Sequence, residues 1–249
     1  MKNIYKIKFH PLFYIVVVIS ILTGHFNEFS LFLLIIIIHE FGHIISGILF
    51  KWRIKQINIL PFGAITIFDE GLTKPLFEEF IIAIMGPIFQ IIAYNVLKSN
   101  YDVKSIHYSL LFFNLLPIVP LDGAKIMNIL LNVFFPFKKS LLLTIVISVI
   151  WLSVLTFLLL INKLNLLFLL ILFFLLARVY KELKSHQFIV HKFLYERFYL
   201  PKKYRHTKML NGVDVTKMYK DHNHIFKVNN ICYTEHEILR KMFDFKGKL

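Results

Sequence analysis

His39-Glu40-Phe41-Gly42-His43 places two imidazoles four residues apart, with a carboxylate beside the first. On a helix, positions i and i+4 share a face, so two neutral histidines there can hold one metal ion, usually zinc. The adjacent glutamate can act as a base toward metal-bound water. A catalytic zinc takes three protein ligands and one water, so two histidines are an incomplete site. The eight residues leading into the motif, Leu31 to Ile38, are all apolar. This context points to a metal-dependent hydrolase whose active site lies inside a membrane.

The elements that must position such a site are themselves apolar. The chain has 249 residues, of which 57% are hydrophobic and 27 are phenylalanine; a soluble domain is about 45–50% apolar. Some 20 apolar residues cross a bilayer as a helix. Six candidate spans can be read: Pro11 to Thr23, Leu31 to Phe50, Leu76 to Leu97, Ile106 to Phe135, Leu141 to Ile161 and Leu164 to Ala177. Asn162-Lys163 joins the last two as a tight hairpin. The first span follows a basic stretch but is read as a retained helix, because Thr23-Gly24-His25-Phe26 lacks a small-residue cleavage pattern. Between Ile57 and Ile67, β-branched residues flank Pro61-Phe62-Gly63, which reads as a hairpin or re-entrant loop, with a simple packing loop as the alternative. The expected fold class is an all-α polytopic membrane protein of about six transmembrane helices. It carries a membrane-associated β-hairpin or re-entrant loop and a small α+β cytoplasmic tail.

Charge sets the orientation. Lys2, Lys6 and Lys8 precede span one, Lys51, Arg53 and Lys55 follow span two, Lys138 and Lys139 follow span four, and the tail is basic. Lys98 and Lys104 are exceptions to this pattern. The positive-inside rule puts both termini in the cytoplasm, and the motif, about 12 Å along the helix from Lys51, in the cytoplasmic half of the bilayer. Cys232 is the single cysteine, so no intramolecular disulfide forms, as suits a reducing compartment.

A third ligand is available in span four, in Asn114-Leu115-Leu116-Pro117-Ile118-Val119-Pro120-Leu121-Asp122-Gly123. Asp122 is the only charged residue between Lys104 and Lys125. A carboxylate there is costly in hydrocarbon unless it is paired or bound to metal. The two prolines and the glycine break the helix, and such backbone is tolerated at membrane depth where it is buried in protein or lines a wet cavity.

With these residues in hand, the chain resembles the site-2 proteases, the intramembrane zinc metalloproteases of peptidase family M50. That family carries H-E-x-x-H in one core helix, here His39 to His43. It carries an N-x-x-P-x-x-P-L-D-G segment in a later helix, here Asn114 to Gly123, and a Gly-Pro pair between them, here Gly86-Pro87. The likeness runs over about residues 10 to 180; it departs at Ala124, where a second glycine is common. It implies one zinc held by His39, His43 and Asp122, with Glu40 activating the water. It also implies that Asn114 lies near the substrate backbone or the developing oxyanion, whereas the residues alone allow a helix-capping amide. It implies a membrane-associated hairpin after the motif, whose edge strand can hold an extended substrate by strand addition, with a packing loop as the alternative. Within the family, a short N-terminus, six spans and a partly CBS-like tail resemble the stage IV sporulation FB branch of endospore formers. That implies a membrane-tethered substrate, a pro-sigma factor, with membrane inhibitory partners, in the mother-cell membrane around a forespore.

The expected domains are a transmembrane metalloprotease domain over residues 1–180 and a basic cytoplasmic tail over 181–249. From Arg178 onward the tail holds 16 Lys and Arg against 7 Asp and Glu, which suits an anionic lipid leaflet. No motif supports nucleic-acid binding. Ile225 to Val228 reads as a strand and Glu235 to Phe243 as a short amphipathic helix. His222-Asn223-His224 reads as a solvated turn, and His25 and His107 as residues near the far face, away from the metal. A site-2-type protease with another substrate shares every catalytic residue named here. A non-catalytic polytopic metal transporter, with His and Asp lining an ion path, is the competing class.

Overall fold

The computed structural model describes residues 6–60, 63–69, 71–96, 101–161 and 166–244. Along the chain come β1 (Lys6–Phe9), α1 (Pro11–Leu22), α2 (Phe26–Leu49), β2 (Ile54–Leu60), β3 (Gly63–Phe68), α3 (Leu76–Val96) and α4 (Tyr101–Asn114). They are followed by α5 (Asp122–Phe134), α6 (Phe137–Ile161), α7 (Leu166–Tyr199), β4 (His206–Asn211), β5 (His222–Val228), β6 (Ile231–Thr234) and α8 (Glu235–Asp244). By their contacts the described residues fall into two units. One lies within Met1–Glu70, Phe80–Leu116 and Leu121–Gly123, the other within Gly71–Glu79, Pro117–Pro120 and Ala124–Leu249.

In the first unit, α2 draws on an unbroken Leu/Ile/Phe run and stops where Lys51 adopts φ 58°. The β-branched residues that follow suit a pleated ribbon. β2 and β3 pair antiparallel, with Ile57 opposite Thr66 and Ile59 opposite Ala64. Pro61 and Phe62 of the expected turn lie outside the described residues. The other edge of β2 is taken by β1, which runs parallel to it with Ile7 opposite Ile57. That strand was not legible in the sequence, because four residues with two lysines carry no decisive period. Sheet order is therefore β1-β2-β3, with β3 an edge. Ile35 and Ile36 of α2 bury against Leu110 of α4 to form the interior beside the motif.

α3 contains Pro87 in mid-helix. Proline offers no N–H to the carbonyl four residues back and its ring crowds it, which loosens the preceding turn. Among the described residues, three helices are long and apolar enough to cross a membrane: Phe26–Leu49, Leu76–Val96 and Phe137–Ile161. The surface of α6 shows why lipid suits it, since Val146, Ile150, Val154 and Phe157 face outward. The other three expected spans differ. α1 has 12 residues. Span four is divided into α4 and α5 by the Pro117 and Pro120 segment, because proline cannot continue the helical hydrogen bonding. Span six is the apolar start of a 34-residue helix that runs on as a charged one after Ala177. The hairpin expected at Asn162-Lys163 lies outside the described residues.

In the second unit, Phe137 and Leu141 of α6, Val190, Phe193 and Leu194 of α7, Leu210, Phe226 and Leu239 share one core. β4 pairs parallel with β5, and β5 antiparallel with β6. Asn229 and Asn230 have φ of 49° and 63°, the geometry of a type I′ hairpin turn, which asparagine tolerates. The strand expected at Ile225–Val228 thus begins three residues earlier, at His222, and α8 covers the expected helix. His222 and His224 lie in β5, not in a solvated turn. The segment before α3 and the first turn of α3 belong to this unit: Asp221 Oδ2 accepts from the Leu76 N–H at 2.9 Å, and Lys220 pairs with Glu79.

Candidate metal centre and active site

α2 is one helix through the whole motif, so His39 and His43 project from one face, and both are buried. Asp122 opens α5, directly after the proline-broken segment. Its Oδ2 lies 2.9 Å from Nε2 of His39 and 2.9 Å from Nε2 of His43, and the two Nε2 atoms are 3.2 Å apart. The sequence separates these donors by 83 residues; the fold brings one atom from each within 4.8 Å of the others.

The far nitrogens of both rings have partners. His43 Nδ1 donates to the Ile82 carbonyl at 2.7 Å, five residues before Pro87 within α3. His39 Nδ1 lies 2.9 Å from Oε1 of Gln90. With protons on both Nδ1 atoms, both Nε2 atoms carry lone pairs aimed at a carboxylate oxygen. Three electron-pair donors facing one another repel unless a cation sits among them, and two imidazoles with one carboxylate are a set zinc accepts. The donor set therefore fits a zinc ion.

Gly86 makes room for it. A Cβ on Gly86 would lie 2.3 Å from His43 Nε2 and 2.8 Å from His39 Nε2. Gly42, inside the motif, lets α2 and α3 approach closely, since a Cβ there would lie 2.3 Å from the Met85 carbonyl oxygen. Gly86 is thus part of the site's wall.

Glu40 follows His39 on α2 and is buried, and its Oε1 has no hydrogen-bond partner among the described residues. A buried carboxylate oxygen left unpaired is costly and is available to receive a proton. Asn114 ends α4 and is half-buried. Gln90 was missed by sequence reasoning. Gln90 Nε2 donates to the His107 backbone carbonyl at 3.0 Å, and both residues are buried. His107 was expected away from the metal. It offers no donor to the cluster, yet through Gln90 it stands one side chain behind His39. The signal for Gln90 was an amide four residues after Gly86 in an apolar helix, on the same face. Among the described residues no other group of His, Cys, Asp and Glu clusters in this way.

Fold and donor set together describe a metallohydrolase embedded in apolar helices. The comparisons agree. The family model of peptidase family M50 matches residues 28–99. Stage IV sporulation protein FB of Bacillus subtilis (strain 168) is 34% identical over 208 residues, 79% of this chain and 72% of that protein. Zinc metalloprotease MJ0392 of Methanocaldococcus jannaschii is 29% identical over 147 residues, 52% of this chain and 42% of that protein. Among solved structures, the site-2 protease from Methanocaldococcus jannaschii superposes with a TM-score of 0.58 at 23% identity, over 73% of this chain and 93% of that one. The last is a likeness of fold. The chain belongs to peptidase family M50. It is a membrane metalloendopeptidase of the site-2 protease type.

Proposed function

We propose that the protein cleaves a membrane-tethered protein substrate near the cytoplasmic face, with His39, His43 and Asp122 holding one zinc ion and Glu40 as the general base. The observation that carries this reading is the convergence of three lone-pair donors, two of them on the helix that also holds Glu40, a buried carboxylate whose Oε1 has no partner among the described residues. Zinc bound there would supply Lewis-acid polarisation of the scissile carbonyl and acidify a water. Glu40 takes the proton from the attacking water and later passes it to the leaving amine. The amide of Asn114 donates to the oxyanion as it develops. The free edge of β3 offers backbone groups to a substrate segment in extended form, which a helical substrate must unwind to reach.

The substrate class proposed is a pro-sigma factor processed during sporulation in the mother-cell membrane, with both termini of the enzyme cytoplasmic and with membrane inhibitory partners. Likeness to stage IV sporulation protein FB supports this. Residues 1–180 are proposed as the protease domain and 181–249 as a cytoplasmic tail, supported by the basic character of the latter.

Co-expression with a tethered pro-sigma factor, read by product size, tests the reading. Wild type should give a shortened, chelator-sensitive product, and Glu40→Gln should keep zinc and give none. Cleavage by Glu40→Gln would overturn the role of Glu40. Metal binding without cleavage of any tethered precursor would favour an ion transporter.

A further inference from the structure

The orientation of one side-chain amide behind the donor cluster can be read from its partners. Gln90 is 1% exposed. One end of its amide lies 3.0 Å from the backbone carbonyl of His107, and that end must be the NH2, because a carbonyl only accepts. The other end, Oε1, therefore faces His39 Nδ1 at 2.9 Å, and being an acceptor it requires a proton on that nitrogen. A proton on Nδ1 of the neutral ring leaves Nε2 bare, and Nε2 is the atom 2.9 Å from Asp122 Oδ2. A carbonyl on α4 thus sets, through a glutamine on α3, which nitrogen of a histidine on α2 is free. The His107 ring reinforces the arrangement from behind, stacked on Tyr94 with centroids 4.3 Å apart and planes 12° from parallel.

We infer that Gln90 is a positioning residue that fixes the Nδ1–H tautomer and ring orientation of His39, with its own amide held by the His107 carbonyl. The inference rests on the proposed role of His39 as a metal ligand. Partners of this kind typically change metal affinity by about 10–100-fold when removed. His43 needs no such relay, because the Ile82 carbonyl receives its Nδ1–H directly.

The test is chelator competition for zinc on the purified full-length protein in detergent, with thermal unfolding recorded alongside. Gln90→Met keeps the length of the side chain without an acceptor and should lose zinc affinity by about 10–100-fold. Gln90→Glu keeps an acceptor toward His39 and can hold a proton on its other oxygen toward His107, so it should recover most of that loss. His107→Leu keeps the backbone carbonyl and should lose far less affinity than Gln90→Met. A merely structural Gln90 would lower the unfolding temperature in both Gln90 variants without separating their affinities. Wild-type affinity in Gln90→Met, or equal loss in Met and Glu variants, would overturn the inference. His39→Ala is the control for the underlying reading: zinc binding unchanged in that variant would remove His39 from the ligand set. If Gln90→Met fails to fold, 15N-histidine spectra of the zinc-free wild type decide the matter: the inference requires the His39 proton on Nδ1 toward Gln90, and a proton on Nε2 toward Asp122 would overturn it.

Discussion

Gly86→Ala adds a single methyl group, and the structure says where it goes. It would lie 2.3 Å from His43 Nε2, 2.5 Å from His43 Cε1 and 2.8 Å from His39 Nε2. Ordinary contact begins near 3.4 Å, so the His43 ring must retreat by about 1.1 Å. The retreat is not free, because His43 Nδ1 is tied to the Ile82 carbonyl at 2.7 Å on the same helix as the new methyl. The helix itself gains, since alanine is favoured over glycine in a helix interior by roughly 0.5–1 kcal/mol. Overpacking costs about 1–3 kcal/mol, so the net change in folding stability is small, on the order of 1 kcal/mol. Metal binding tolerates far less. Zinc–nitrogen bonds are about 2.0–2.1 Å long with a tolerance near 0.2 Å, and a displacement of about 1.1 Å removes a ligand. Gly86→Ala is therefore expected to be membrane-inserted and folded, to lose affinity beyond the roughly 100-fold of an outer partner, and to cleave nothing. Zinc analysis of the purified protein, a thermal melt and the co-expression assay read these three outcomes. Wild-type zinc content together with wild-type cleavage would refute the reasoning, because it would mean that the methyl does not meet the donors.

Lys220 is buried against the first turn of α3, where it pairs with Glu79. Lys220→Met strands that carboxylate and should destabilise the C-terminal unit by roughly 3 kcal/mol, the low end of the range for breaking a buried pair, because Glu79 is 24% exposed. Adding Glu79→Gln should restore part of the loss, and a double variant as unstable as the single one would speak against the pair. Burial pushes the His224 imidazole below its ordinary value of 6.5 despite its contact with Glu235. The Tyr219 N–H donates to its Nε2 at 2.9 Å, which only the neutral ring accepts. The unfolded chain then binds the extra proton first, so stability is full above about pH 6.5 and falls below it, by at most about 1.4 kcal/mol per pH unit from this group. Melts of the full chain across that range should show the decline, and His224→Gln should flatten it. Phe193 is 1% exposed in the same core and stacks on Phe137 at 4.1 Å, so Phe193→Ala should cost about 3–5 kcal/mol in denaturant unfolding.

The donor cluster was legible because each member violates the composition around it. Two histidines and a carboxylate in apolar runs are conspicuous, since a polar group in hydrocarbon needs a reason to be there. The broken helix before Asp122 was legible for a related reason, through Pro117 and Pro120. What stayed hidden has no such contrast. β1 reveals itself only by pairing with β2, and a four-residue segment has too few positions to show a period of two. Gln90 is an uncharged amide, common enough in a membrane helix, and its meaning lies in a carbonyl 17 residues away. The contacts of Lys220, Asp221 and Glu196 with the start of α3 and the segment leading into it are separated by well over a hundred residues in the chain. No local pattern encodes them.

The glycines show where sequence reading by residue type stops and geometry takes over. Gly42, Gly86 and Gly123 all sit beside or inside motif residues, yet none supplies chemistry. Each stands where another group already occupies the space a side chain needs. For Gly42 this is the Met85 carbonyl, for Gly86 the two Nε2 atoms, and for Gly123 the Leu115 carbonyl at 2.1 Å. The first lets α3 approach α2, the second leaves the donors their room, and the third lets the start of α5 pass close to the Leu115 carbonyl just after α4. The spacing of His39, Glu40, His43 and Asp122 thus specifies what the site can do. The glycines between the motif residues are what let one site form from three helices.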